Sequence, residues 1–296
     1  MEFRDLVVRA LELVGMPNVS DFFPALRFLD LQRFRKENEM VWSRIIEIIG
    51  RLVDARQISS ADSKLENNED VLDSLLGENE YDLSTDDIKH LFADLFVAGT
   101  DTPAGTIEWA MTELICNPDK MVKAQSEIHS LVSSKEIIRD SDIPNLPYLQ
   151  AVVKETLRLH PPAPFLVPHV AVEDAQIETF TVPKGTQVLV NVWSMGRDSK
   201  IWEEPERFEP ERFLELELDY KGRNFEFIPF GAGRRICPGM PLAHRMVHTV
   251  LASLIHAFDW ELEKGVKPQD LSMNYRFALA VHKTAPLRVV PVLRTD

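Results

Sequence analysis

The feature that most restricts the fold of this chain is one long helical pattern between Ser84 and Pro118. It opens with Ser-x-x-Asp, a sequence that typically caps a helix. Apolar residues then recur at the spacing of an amphipathic helix, at Ile88, Leu91, Phe92, Leu95 and Phe96. The pattern resumes in "TIEWAMTELI" and stops at Asn117-Pro118. It predicts one helix of about 30 residues, far longer than the average globular helix.

This long helix has a weak point in its middle. Gly99 and Pro103 both lower helix stability, and Pro103 has no backbone N–H to donate. We therefore expect a kink between them.

The rest of the chain predicts a mainly α protein with a minor β-sheet, in a single domain over residues 1–296. Residues 1–56 read as helical segments broken near "GMPNVSDFFP". Residues 57–83 are acidic and polar, which predicts a mobile connection with one short helix at Val71–Leu76. Further helices are predicted at 120–132, 148–160 and 241–258. Short strands with a Pro-Lys-Gly turn are predicted in "FTVPKGTQVLVNVWS".

Charge and composition exclude some classes of protein. The chain has 33 basic and 47 acidic residues, a net charge of -14, which argues against a general nucleic-acid binder. No run of about 18 apolar residues is present, so no membrane span is predicted within the sequence as written. The two cysteines, Cys116 and Cys237, form no disulfide framework and suit a reducing compartment. Cys116 lies in an apolar stretch and is interpreted as a small buried side chain.

Cys237 lies in an unusual loop, "FIPFGAGRRICPGM", for which we considered four functions. A dinucleotide loop would need a third glycine where Ile236 stands, and a βαβ unit around it. A zinc site could use Cys237, His244 and His248, but no fourth ligand is evident. A Cys–His nucleophile would need a thiol of low pKa, which Arg235 and the following helix could provide.

The fourth function, a thiolate ligand to haem iron, accounts for most of the loop. Gly233 and Gly239 can adopt positive φ and let the backbone approach a flat macrocycle. Arg235 could pair with a haem propionate, and Phe230 could pack on the ring face. The helix that begins after Pro238 would direct its positive end toward the sulfur.

Together with other motifs, the loop resembles the haem loop of the cytochrome P450 family. The family pattern Phe-x-x-Gly-x-Arg-x-Cys-x-Gly is matched in full, at Phe230, Gly233, Arg235, Cys237 and Gly239. "KETLRLHPP" resembles the family's Glu-x-x-Arg helix, with Glu155 and Arg158, and "PERFEPERF" supplies Arg212 as the third member of that network. "AGTDT" resembles the family's distal helix motif.

The resemblance implies the cofactor, haem b, with Cys237 as the metal ligand, and roles for further residues. Thr102 would hydrogen-bond bound oxygen, Asp101 would relay protons, and His169 would meet a propionate. The Glu155–Arg158–Arg212 network would hold the loop that presents Cys237. The substrate pocket would include Ala98, Phe165, Leu166, Val167 and Leu279.

The resemblance is to plant microsomal members that oxidise terpenoids and related secondary metabolites, with the N-terminal anchor and first helices absent from this chain. It implies a monooxygenase on the cytosolic face of the endoplasmic reticulum membrane, acting on a small apolar substrate and dioxygen. Electrons would come from NADPH through cytochrome P450 reductase. That acidic donor would dock on a basic cluster, comprising Arg234, Arg235, His244, Arg245 and His248.

Three other hypotheses remain at this stage. A haem-thiolate isomerase or dehydratase would need no external electrons, but Asp101 and Thr102 argue against it. A catalytically inactive truncated fragment and a zinc-binding module are the others.

Overall fold

Helices dominate the computed structural model, which describes residues 2–62, 70–76, 83–133, 136–276 and 280–294. These described residues contain ten α-helices and eight short strands. The helices are α1 (Glu2–Gly15), α2 (Val19–Phe22), α3 (Phe34–Asp62), α4 (Val71–Leu76), α5 (Thr85–Cys116), α6 (Pro118–Leu131), α7 (Pro147–Leu159), α8 (Val192–Met195), α9 (Arg212–Glu215) and α10 (Met240–Ala257). A mainly α fold with minor β structure is thus confirmed.

The long helix is continuous, as its periodicity predicted. Helix α5 has 32 residues and contains Pro103. Its start is a capping box, because Ser84 Oγ accepts the N–H of Asp87 at 3.2 Å and the Asp87 carboxylate accepts the N–H of Ser84 at 3.0 Å. Pro103 leaves the carbonyl of Gly99 without its usual helical donor, but the kink stays a prediction.

Helix α7 carries much of the core and begins where a neighbouring helix caps it. The carboxylate of Glu127, on α6, accepts the N–H groups of Tyr148 and Leu149 at 2.8 and 2.9 Å. These are donors that the first turn of a helix leaves unpaired, and a negative charge is favourable at that end. Helix α7 ends before Pro161-Pro162, as predicted.

The end of the first helical region was predicted too early, at residue 56. Residues 57–62 continue α3 and are not part of a connection. Because each residue added to an existing helix gains a backbone hydrogen bond, polar composition alone does not end a helix. The short helix at Val71–Leu76 is confirmed. The rest of the predicted mobile connection falls largely on residues 63–69 and 77–82, which lie outside the described residues.

The strands form four antiparallel pairs, which are β1 with β4, β2 with β3, β5 with β8 and β6 with β7. The Pro-Lys-Gly turn is confirmed between β3 and β4, where Gly185 has a φ of 83° and Thr186 N donates to Pro183 O at 3.1 Å. The strands are β1 (His169–Val170), β2 (Ala175–Ile177), β3 (Phe180–Val182), β4 (Gln187–Val188), β5 (Phe258–Leu262), β6 (Tyr275–Arg276), β7 (His282–Lys283) and β8 (Val289–Leu293).

The chain is organised in two compact units, Met1–Asp101 and Thr102–Asp296. The first has its own apolar core, built mainly from α1, α3 and the first part of α5. The second has a larger core, to which α6, α7 and α10 contribute. The single domain predicted for residues 1–296 stays a prediction. Among the described helices, none combines the length and the apolar run needed to cross a bilayer.

Candidate functional site

Residues 227–239, the cysteine loop, form a backbone turn closed by its own hydrogen bonds. The N–H of Cys237 donates to the carbonyl of Phe230 at 2.9 Å, and that of Ile236 donates to Gly233 at 3.2 Å. Gly231 and Gly233 have φ values of 75° and 68°, in the region that favours glycine. The loop therefore depends on glycine at two positions to bring Cys237 back over Phe230.

The positive φ predicted for Gly233 is confirmed, and the one predicted for Gly239 is wrong. Gly239 has a φ of -79° because it is the N-cap of α10 and is already in the helical region. A Cβ at Gly239 would lie 3.7 Å from Cys237 Sγ, an ordinary contact. The glycine with the second positive φ is Gly231, which the sequence signals only through the spacing "GAG".

The surroundings of Cys237 fit a flat cofactor bound through sulfur. Cys237 is half-buried and not in a disulfide, and α10 begins at Met240, whose N–H donates to the carbonyl of Cys237 at 3.3 Å. The positive end of an 18-residue helix therefore lies three residues after the thiol. A Cβ at Gly233 would meet no atom within 4 Å, so this side of the loop is open.

The segment after α7 approaches the cysteine loop at Leu166. Leu166 Cδ1 lies 3.7 Å from the position that a Cβ would take at Gly231. Leu166 itself has a φ of 52°. Its neighbours Phe165 and Val167 are exposed, and so is His169 on β1. Their roles in a substrate pocket and at a propionate remain predictions.

The structure brings together Glu155, Arg158 and Arg212. Arg158 donates to both carboxylate oxygens of Glu155 at 2.7 Å, and both side chains are 0% exposed. Arg212 Nε donates to the same carboxylate at 3.1 Å. The N–H of Glu209, which sequence reasoning missed, completes the set at 2.7 Å. A buried carboxylate with four donors is well compensated for the loss of water.

Arg158 also fastens a long irregular segment to α7. Its guanidinium donates to the carbonyls of Pro205 at 2.7 Å and Arg207 at 3.0 Å, and also to that of Gly196. It lies 5.3 Å from the ring centre of Trp202. The network therefore fixes the path of residues 196–212.

An aromatic cluster connects this segment to the cysteine loop. The ring centroid of Phe227 lies 5.0 Å from that of Phe213 and 6.4 Å from that of Trp202. Phe213 follows Arg212 on α9. Since Phe213 adjoins Arg212 and Trp202 packs against Arg158, the buried network supports the start of the loop. That Glu155 and Arg158 hold Cys237 in place stays a prediction.

The remaining predicted residues divide between the two units. Ala98, which is exposed, and Asp101, which is half-buried, belong to the first unit. Thr102 belongs to the second, where its carbonyl accepts the hydroxyl of Thr106 at 2.9 Å. Leu279 lies outside the described residues.

The zinc hypothesis is not supported by the geometry. Within the part of the chain that the structure describes, no group of three or more His, Cys, Asp or Glu side chains could hold a metal ion. His244 Nδ1 is hydrogen-bonded to the hydroxyl of Tyr220, and His248 Nδ1 donates to the carbonyl of His244 at 2.6 Å.

The predicted basic docking cluster is only partly exposed. His248 is buried and was wrongly included in it, while Arg234, Arg235 and Arg245 are exposed.

His248 is expected to make stability depend on pH. Burial, with the neighbouring His244, lowers its pKa to about 4 from an ordinary 6.5. The folded state thus favours the neutral ring, and this stability, present above pH 6.5, is lost as the pH falls toward 4. Urea unfolding should show a loss of up to about 3 kcal/mol across this window. His248→Leu should flatten that pH dependence, whereas replacing the exposed His90 by Gln should not; equal slopes in all three proteins would contradict this assignment.

A polar cavity of about 570 Å³ was missed by sequence reasoning. The buried His160 lines this cavity. Its Nε2 is hydrogen-bonded to the Glu113 carboxylate at 2.7 Å, and its Nδ1 to the hydroxyl of Tyr275 at 2.9 Å. Arg197 lines it too, with its guanidinium 3.6 Å from the ring centre of Trp193. Among the predicted pocket residues that the structure describes, none lines this cavity. Only the polar residues of "TELICNP" and "LRLHPP" gave any signal for it.

Comparison with known proteins agrees with the motifs and the geometry. The family model "Cytochrome P450" matches residues 1–287. Cytochrome P450 76T24 from Catharanthus roseus is 48% identical over 98% of this chain and 59% of its own length. Carnosic acid synthase from Rosmarinus officinalis is 49% identical over 98% of this chain and 58% of its own length.

A solved zebra fish cytochrome P450 structure with progesterone superposes with a TM-score of 0.76 at 29% identity, covering 98% of this chain and 64% of that one. The chain therefore spans less than two thirds of the length of these relatives.

Proposed function

The chain belongs to the cytochrome P450 family, and on that premise we propose that it is the haem-bearing part of a monooxygenase. The observation that carries the proposal is the cysteine loop. Its backbone is closed over Cys237, two glycines take positive φ, and a long helix starts three residues later. The cofactor of this family is haem, held through iron by a cysteine thiolate. When bound, it supplies the activation of dioxygen, and a thiolate ligand favours cleavage of the O–O bond.

The side chains of this protein then have distinct tasks. Cys237 provides the thiolate, and the positive end of α10 stabilises its charge. The exposed Arg235 and His169 would pair with the haem propionates, and Phe230 would pack against the macrocycle. Thr102 would offer its hydroxyl for hydrogen bonding to dioxygen, and Asp101 would supply protons there. Both residues lie between Gly99 and Pro103 in α5. Pro103 has no N–H to donate to the carbonyl of Gly99, so one helical hydrogen bond is missing here.

The substrate that we propose is a small apolar terpenoid or related plant secondary metabolite, which receives one oxygen atom as a hydroxyl. The support is the 49% identity to carnosic acid synthase, an enzyme named for its terpenoid product. We propose NADPH-cytochrome P450 reductase as the electron donor and the cytosolic face of the endoplasmic reticulum membrane as the location. The exposed Arg234 and Arg245 suit an acidic donor.

A carbon-monoxide difference spectrum of the reduced, haem-supplemented chain tests the thiolate. We expect a strongly red-shifted Soret band from the wild-type chain and none from Cys237→Ser, since a neutral hydroxyl cannot replace the thiolate. Thr102→Ala is the control, because it leaves the ligand in place and should keep the band. Loss of the band in Thr102→Ala would contradict the assigned roles.

A chimera extends the test to a longer protein. In it, these 296 residues replace the matching segment of carnosic acid synthase from Rosmarinus officinalis. A band in the chimera alone would support a competent cysteine loop that needs further polypeptide to retain haem. Absence of the band from both the chain and the chimera would overturn the proposal.

A further inference from the structure

A buried tyrosine outside all the motifs lies beneath the cysteine loop. Tyr220 is 6% exposed, and its ring centroid lies 5.3 Å from that of Phe230. Phe230 is the residue whose carbonyl accepts the N–H of Cys237 at 2.9 Å. Tyr220 is therefore one side chain away from the hydrogen bond that fixes the position of Cys237.

The hydroxyl of Tyr220 is anchored to the helix that leaves the loop. It hydrogen-bonds Nδ1 of His244, on the second turn of α10. Burial lowers the pKa of His244 and, with Asp219, raises the pKa of Tyr220. Both groups are thus neutral near pH 7. We assign His244 the tautomer protonated at Nε2, in which Nδ1 accepts from the phenol hydroxyl.

The same short segment touches the loop a second time. Gly222 has a φ of 75°, and a Cβ there would lie 3.1 Å from Ala232 Cα and 3.1 Å from Ile236 Cδ1. The turn at residues 220–222 is therefore in close contact with the loop on both sides of Gly233. It bridges the loop and α10 from outside the core network of Glu155.

We propose that Tyr220 and His244 form a positioning pair that holds Phe230, and through it Cys237, in the geometry needed for thiolate ligation. The inference rests on the proposed function, because it assigns the pair to the same ligand. Neither side chain is a catalytic residue, since each acts through Phe230 or α10. Glu155 and Arg158 support the start of the loop, and this pair supports its middle and its exit.

The test that does not need haem is hydrogen exchange at the Cys237 amide. Tyr220→Phe keeps the ring but loses the anchor, and we expect exchange about fivefold faster at this amide, the effect of one lost hydrogen bond on local opening. His244→Leu should behave likewise. His244→Asn should restore protection, because its Oδ1 can accept the phenol from nearly the same position.

Tyr148→Phe is the matched control. Tyr148 is 7% exposed in the same core, and its hydroxyl bonds Glu211 at 3.1 Å, away from the cysteine loop. Tyr148→Phe should leave hydrogen exchange at the Cys237 amide unchanged. Unchanged exchange in Tyr220→Phe, equal acceleration in Tyr148→Phe, or failure of His244→Asn to differ from His244→Leu would each overturn the inference.

The haem-supplemented proteins separate this inference from the proposed function. In the carbon-monoxide spectrum, Tyr220→Phe should lower the ratio of the thiolate band to the neutral-thiol band about fivefold, and Tyr148→Phe should not. If the wild-type chain and the chimera show no thiolate band, the proposed function fails. If the band is present but its ratio is the same in Tyr220→Phe, only the positioning role is wrong.

Discussion

Glu155→Gln is expected to destabilise the second unit by about 3–5 kcal/mol, the usual cost of leaving a buried charge without its partner. Glu155 accepts from Arg158, Arg212 and the N–H of Glu209, and its side chain is 0% exposed. A glutamine has one acceptor oxygen and turns an amide donor toward the other donors. Two guanidinium groups would then lack a counter-charge, and urea unfolding should show the loss as a lower midpoint.

The chain contains a matched control for this substitution. Glu204 and Arg207 form the same kind of pair, also three residues apart, at 2.6 Å. Their side chains are 63% and 64% exposed, however. Glu204→Gln should therefore change stability by less than about 0.5 kcal/mol, since water competes for an exposed pair. Equal losses in the two variants would contradict the claim that burial makes the Glu155 network important.

The Glu155 network shows how far sequence reasoning can reach. The spacing of Glu155 and Arg158 places them on one helix face, and family resemblance adds Arg212. The backbone partners, Glu209 N–H and the carbonyls of Pro205 and Arg207, were not predictable. These contacts depend on the path of an irregular segment, and no periodic pattern encodes that path.

The same distinction applies to the helices and to the glycines. Helix α5 was predicted almost to the residue, because 3.6-residue periodicity and a capping box are local signals. The end of α3 was missed because a polar sequence can continue a helix already begun. Gly231 was overlooked and Gly239 misassigned, since positive φ depends on how the turn closes rather than on the presence of glycine.

Gly196 illustrates a glycine whose importance is tertiary. Its φ is -67° and its ψ is -11°, values that any residue adopts. Neither the backbone conformation nor the sequence therefore indicates that glycine is needed here. A Cβ at this position would lie 2.5 Å from the carbonyl oxygen of Arg158. The carbonyl of Gly196 also accepts a hydrogen bond from the Arg158 guanidinium. This hydrogen bond requires the segment after α8 to lie close to the backbone of α7.

Gly196→Ala should accordingly cost about 3 kcal/mol, the upper part of the range for overpacking a core, since the contact is with backbone and cannot be relieved by a side-chain rotation. The control is Gly99→Ala in helix α5, where a Cβ meets nothing within 4 Å. That substitution should stabilise the chain by about 0.5–1 kcal/mol, because alanine loses less backbone entropy in a helix. Urea unfolding of both variants measures the difference. If Gly196→Ala unfolded at the wild-type midpoint, the close approach of residue 196 to α7 would be wrong, and with it the argument that Arg158 fixes the path toward the cysteine loop.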